Sequence, residues 1–167
     1  MPATMASTVA HVAYIGLGAN LGDARASVEQ AIARLRQLPG AALLSHSALY
    51  RSAPFDAGGD DYINAVAALS TTLEPLPLLR ALQAIEQEFG RERPYFHAPR
   101  TLDLDILLYG DQVIATPALT VPHPGLTQRA FALLPLLDIA PSILIPNAGP
   151  ARQFAAAVGA QRIERLP

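Results

Sequence analysis

"PRTLDLDILLYG", residues 99–110, carries two aspartates two positions apart inside an otherwise apolar run. Leu102, Leu104, Ile106, Leu107, Leu108 and Tyr109 make that run, and Gly110-Asp111 ends it as a turn. All of it reads as a β-strand except the aspartates, which are poor strand formers. Side chains alternate along a strand, so Asp103 and Asp105 project together while Leu102, Leu104 and Ile106 turn to a core. At about 3.3 Å rise per residue the two carboxylates leave the backbone only about 7 Å apart. Like charges so close raise each other's pKa unless something positive sits between them. A divalent cation would serve, and so would Arg100. A solvent-facing strand with two solubilising acids is the third reading, and the rest of the chain has to decide.

Upstream, Val9–Leu17 is an apolar run with β-branched residues and predicts a buried strand. "GLGANLGD" (16–23) superficially resembles a dinucleotide-binding turn, but the third glycine of that pattern would fall on Leu21. We read it as a turn with Asp23 as the N-cap of a helix. In that helix Val28, Ala31, Ile32, Leu35 and Leu38 recur at helical spacing, and Pro39-Gly40 stops it. Ala42–Tyr50 predicts a second strand, and "RSAPFDAGGDD" (51–61) a loop. Tyr62–Leu73 predicts a third strand. Pro75 opens a second helix with Leu78, Leu79, Leu82, Ile85 and Phe89 on its apolar face and Gln83 and Glu86 along the border. After the polar loop "GRERPYFHAP" (90–99) comes the aspartate strand.

The order is therefore β-α-β-β-α-β, which predicts an α+β, ferredoxin-like antiparallel sheet with helices packed on one face. Beyond it a turn at "VPHPG" (121–125) leads to a short helix from about Gln128, cut by Pro135, and residues 142–167 form a small C-terminal extension. Residues 1–8 read as a disordered tail, and 9–167 as one domain.

Composition narrows the function. The 167 residues are 51% hydrophobic and 16% charged, with a net charge of −2. That suits a globular domain and gives no footprint for nucleic acid. There is no cysteine, hence no disulfide, thiolate metal site or cysteine nucleophile. All twelve basic residues are arginine, so neither a P-loop lysine nor a Schiff base is available. The N-terminus lacks the pattern of a signal peptide, and no segment is long enough to span a membrane. We expect a cytoplasmic monomer.

Near the aspartates, in sequence or through the expected fold, lie Arg91, Arg93, His97, Arg100, His123 and Arg129. Two carboxylates among surplus arginines suit a polyphosphate carried with magnesium, because hard cations take one or two carboxylates plus phosphate oxygens. Arginine forks match phosphate and stay charged at any working pH. Taken singly, these residues have plainer readings. Arg91 and Arg93 follow a helix end, where positive charge favours the macrodipole, and His123 sits in a rigid turn. The four histidines show no metal spacing, and no Gly-x-Ser-x-Gly elbow supports a hydrolase. "GGDD" (58–61) lacks a strand before it and reads as a glycine-rich loop. Two rivals stand beside an enzyme of magnesium-bound polyphosphate: a non-catalytic binding module with an acidic patch, and a nucleotidyl-transfer palm.

The motifs "YIGLGANLGD" (14–23), "SALYRSAPFD" (47–56), "DYINAVAAL" (61–69), "IEQEFGRER" (85–93), "APRTLDLDILLYG" (98–110) and "LTVPHPGLTQRAFALLPLLDIAP" (119–141) occur in one order. Together they resemble the 6-hydroxymethyl-7,8-dihydropterin pyrophosphokinase family of folate biosynthesis, over about residues 10 to 145. The resemblance implies transfer of pyrophosphate from ATP, the co-substrate, to a reduced pterin, leaving AMP. It implies two magnesium ions held by Asp103 and Asp105, with Arg91 and Arg100 as catalytic arginines. Gln83, Glu86, Arg93, His123 and Arg129 match ATP-binding positions. Ser52, Ala53, Phe55, Tyr62, Asn64 and Phe131 match the pterin site, the ring lying between Tyr62 and Phe131. The sequence departs from the family pattern at Phe96-His97-Ala98 and at Pro124.

Overall fold

The computed structural model describes residues 9–53, 61–90 and 102–167. Strand β1 (His11–Ala19) leads to helix α1 (Ala24–Arg36), then β2 (Ala41–His46), β3 (Tyr50–Ser52), β4 (Tyr62–Thr71), helix α2 (Pro75–Gly90) and β5 (Asp103–Tyr109). The sheet runs β5-β1-β4-β3, every neighbouring pair antiparallel, with β2 further along the same edge of β4. This is the ferredoxin-like arrangement the periodicity predicts.

The first face is the apolar one. Ala13, Ile15 and Leu17 of β1, Ala65, Ala67 and Leu69 of β4, and Leu104 and Ile106 of β5 meet Val28, Ala31 and Leu35 of α1 and Leu78, Leu82 and Ile85 of α2. Asp23 caps α1 as expected, its carboxylate accepting the Ala26 N–H at 3.1 Å. Gly40, at φ +82°, adopts a left-handed conformation on which a side chain would be strained and turns the chain into β2.

Several boundaries differ from the sequence reading. The expected strand Ala42–Tyr50 is two strands, split at a buried serine. Ser47 Oγ accepts the Val66 N–H at 2.9 Å and donates to the Ala48 carbonyl at 2.7 Å, so a hydroxyl replaces one rung of the ladder. The first strand is displaced by two residues, His11–Ala19 against the expected Val9–Leu17, so Gly18 and Ala19 belong to β1 rather than to a turn after it. Pro135 does not cut the third helix. Helix α3 (Ala130–Ile139) runs through it, with Ala132, Leu133, Pro135 and Leu136 all buried, so packing outweighs the one helical bond that proline removes.

The second face of the sheet is not bare either. Helix α3 lies over Val66, Leu107 and Leu108, with Leu126, Ile145, Ala151 and Val158 completing that cluster. Two small ribbons flank α3 in sequence, β6 (Ile114–Ala115) with β7 (Thr120–Val121), and β8 (Leu144–Ile145) with β9 (Gly149–Pro150). The C-terminal extension is no appendage: β10 (Ile163–Arg165) pairs with β3 and becomes the outer strand of the main sheet. Three residues without strong alternation carry little local signal, so periodicity alone could not find it.

Candidate active site

The alternation expected for β5 holds through Ile106 and then breaks. Ile15 pairs with Ile106 while Tyr14 pairs with Leu108, leaving Leu107 as the extra residue of a bulge. Leu107 and Leu108 therefore both face α3, and Tyr109 returns to the first face. The Leu107 carbonyl accepts the His123 N–H at 2.9 Å and so ties the turn after β7 to the aspartate strand. Asp103 and Asp105, N-terminal to the bulge, lie on the second face, the first half-buried and the second exposed.

Register then builds the site across the strands. Gly18 lies between Asp103 on one side and Asn64 on the other, and Gly16 between Asp105 and Val66. With strands about 4.8 Å apart, the carboxylates and Asn64 are separated by about 10 Å of side-chain-free floor. Side chains on these glycines would crowd the floor. A Cβ on Gly18 would come within 3.0 Å of Asn64 Nδ2, and one on Gly16 within 3.3 Å of Leu107.

Over this floor is a cleft of about 420 Å³. Asp103, Asp105, His123 and Arg129 line one part of it, and Ala53, Tyr62, Asn64 and Phe131 another. Asn64 is oriented from behind: Ser52 Oγ donates to its Oδ1 at 2.7 Å, both residues buried. With its oxygen so used, Asn64 turns the Nδ2 donors to the Gly18 side. The imidazole is oriented as well. His123 Nδ1 accepts the Gly125 N–H at 3.0 Å, which leaves the proton of the neutral ring on Nε2 as a donor. Gly125 also makes room for the arginine, since a Cβ there would lie 2.8 Å from Arg129 Nε. The guanidinium sits 5.9 Å from the centre of the Phe131 ring, at the limit of a cation–π contact.

Eight of the residues singled out in the sequence thus meet in one cleft, with Ser52 behind them. Glu86 and Gln83 do not line it. Glu86 accepts the Leu104 N–H at 2.7 Å and so holds the outer edge of β5 between the two aspartates, while Gln83 is exposed on α2. Arg91, Arg93, Arg100, His97 and Phe55 lie outside the described residues. The sequence reading passed over Gly16, Gly18, Asn20, Leu107 and Gly125, all of which line the cleft. Glycines inside an apolar strand were the available signal for close approach to the backbone.

Among the described residues no group of three or more His, Cys, Asp or Glu side chains is placed to hold a metal. The donor set that remains, two carboxylates on one face of a strand, fits a hard cation that takes its other ligands from substrate oxygens. No described helix is long and apolar enough to cross a membrane.

Comparison with known proteins points the same way. Residues 14–141 match the family model for 7,8-dihydro-6-hydroxymethylpterin-pyrophosphokinase. The 2-amino-4-hydroxy-6-hydroxymethyldihydropteridine pyrophosphokinase of Pseudomonas aeruginosa is 46% identical over 155 residues, covering 92% of this chain and 96% of the relative. The Haemophilus influenzae protein of the same name is 43% identical over 136 residues, covering 81% and 85%. Among solved structures, Plasmodium falciparum HPPK-DHPS with pteroate superposes with a TM-score of 0.72 at 15% identity, a likeness of fold. The match covers 89% of this chain and 42% of that longer one.

Proposed function

This chain belongs to the 7,8-dihydro-6-hydroxymethylpterin-pyrophosphokinase family, and from that membership we propose that it transfers pyrophosphate from ATP to 6-hydroxymethyl-7,8-dihydropterin, releasing AMP, in folate biosynthesis. The observation that carries this reading is the single cleft in which an aspartate pair faces Asn64 and two aromatic rings across a glycine floor. Such a site has a ring end and a phosphate end about two strand spacings apart.

At the ring end Tyr62 and Phe131 grip the planar heterocycle, and the Asn64 amide donates to an acceptor on its edge, while on the family pattern Ala53 and Phe55 also belong to the pterin site. At the phosphate end Asp103 and Asp105 would hold two magnesium ions, and His123 Nε2–H and the Arg129 guanidinium donate to phosphate oxygens. Bound there, the ions would neutralise phosphate charge and ease loss of the hydroxyl proton to solvent water. The hydroxymethyl oxygen attacks the β-phosphorus. The bond from that phosphorus to the oxygen bridging the α-phosphate breaks, and AMP leaves with the bridging oxygen and its electron pair. The chain's part is alignment and charge stabilisation, which is most of what phosphoryl transfer asks of a protein. On the family pattern Arg91 and Arg100 add positive charge to the transferring group, and Arg93, Gln83 and Glu86 serve the nucleotide. Because one chain supplies all these groups and its ligands are small molecules, we read it as a cytoplasmic monomer that needs neither nucleic acid nor membrane.

Incubation with Mg-ATP and the reduced pterin should yield AMP and the pyrophosphorylated pterin. Release of free pyrophosphate would indicate nucleotidyl transfer, and no nucleotide product a binding module; either result overturns the proposal.

A further inference from the structure

The cleft residues Arg129 and Phe131 stand at the start of α3, and the N-cap of that helix, Arg129, makes no side-chain capping bond. A residue 31 positions beyond Ala130 supplies it. Gln161 Oε1 accepts the Ala130 N–H at 2.9 Å, and Gln161 Nε2 donates to the Gln128 carbonyl at 2.8 Å. One carboxamide therefore grips the backbone on both sides of Arg129, with opposite polarity on each side. A primary amide can do this because it carries an acceptor and donors on adjacent atoms.

Neighbouring residues of the same segment extend the grip. The Arg162 carbonyl accepts the N–H of Ala53, a cleft residue, at 3.3 Å, and Arg165 reaches Asp138 near the other end of α3 at 3.9 Å. The Tyr50 phenol meets Asp138 as well, and burial followed by that hydrogen bond pushes the hydroxyl well above its usual range. Segment 161–165 is thus a strap between β3 and both ends of the cleft helix.

We propose that Gln161 is a positioning residue for the reaction, setting the direction in which Arg129 and Phe131 enter the cleft. The inference rests on reading that cleft as the pyrophosphokinase site. It goes beyond that reading because Gln161 does not line the cleft and lies outside the family match, which ends at residue 141.

The test compares wild type with Gln161→Ala, Gln161→Glu and, as a control on the extension, Arg152→Ala. Pterin binding is read by fluorescence, alongside kcat, both KM values and thermal melting. Gln161→Ala should weaken pterin binding and raise KM for both substrates by roughly tenfold, about 1.4 kcal/mol, with a smaller change in kcat. Gln161→Glu retains the acceptor for Ala130 and loses the donor to Gln128, so it should fall between the two; it carries the test if the alanine variant does not fold. Arg152→Ala should match wild type. A lower melting temperature with unchanged pterin affinity and KM would make Gln161 merely structural and overturn the proposal. So would an equal loss of affinity in Arg152→Ala. Failure of the wild type to form AMP is read separately and would overturn the function itself.

Discussion

The two faces of the sheet are made by the same strands and behave as different materials. On the α1–α2 face, aliphatic side chains from three strands and two helices close into one continuous core. On the other face the same strands present Gly16, Gly18, Asn64, Asp103 and Asp105, and α3 covers only what lies beside them. One face spends its side chains on exclusion of water, and the other leaves out side chains to admit a ligand. The lesson is that period-2 alternation lets a protein build stability and chemistry on one backbone with little interference between them.

The largest effect should come from the open face. Asp103→Ala and Asp105→Asn should each lower turnover by at least about a thousandfold, more than one lost preorganised donor typically costs. Both should fold, and Asp105→Asn should keep its melting temperature, because it removes repulsion between neighbouring carboxylates. Near-normal turnover in both would break the metal assignment, and unfolding would break the separation of the two faces.

On the closed face the pattern should invert. Leu82→Ala opens a cavity beneath α2 where the side chain is fully buried, and should cost about 2–5 kcal/mol in chemical denaturation. Below the melting transition its KM for the pterin should match wild type. A large KM change would mean the faces are coupled through the sheet.

Asn64→Ala tests the boundary between them. It removes the cleft-facing donors and deprives the Ser52 hydroxyl of its acceptor, so pterin affinity should fall by the equivalent of about 1–3 kcal/mol. Mg-ATP affinity should be unchanged, as titration of each ligand alone would show. Equal losses for both ligands would place the residue elsewhere in the mechanism.

The smallest effect concerns pH. The Tyr50 pKa is raised by burial and by its bond to Asp138, and burial raises those of Tyr14 and Tyr109 as well. A pKa raised by folding leaves stability intact below the unfolded value of about 10 and erodes it above. Melting temperature should therefore decline beyond about pH 10, and Tyr50→Phe should decline less steeply than wild type. Identical slopes would mean that Tyr50 releases its proton as readily folded as unfolded.

Much of this contrast is legible in the sequence because its carriers repeat. Val28, Ala31, Ile32 and Leu35 mark α1 at helical spacing, and Asp103 and Asp105 share a side through simple alternation. What escaped has a different physical origin. The break at Ser47 depends on one hydroxyl finding the Val66 amide across the sheet. The passage of α3 through Pro135 depends on the burial waiting for it. Gln161 is tied to Gln128 and Ala130 by long-range hydrogen bonds, which leave no periodic trace. The glycines of β1 were visible as letters, yet their meaning comes from Asn64 and Leu107 in neighbouring strands.

The bulge at Leu107 is useful for its backbone rather than for its length. Leu107 is the extra residue between Asp105, which faces the cleft, and Tyr109, which faces the first core, and its carbonyl anchors the His123 turn. Deleting it would leave plain alternation, with Asp105 and Tyr109 still on their own sides. What the deletion would remove is the carbonyl that accepts the His123 N–H. The unpaired residue therefore serves as a backbone acceptor that a regular ladder would have directed to a neighbouring strand, and it offers that acceptor to the loop that carries the imidazole.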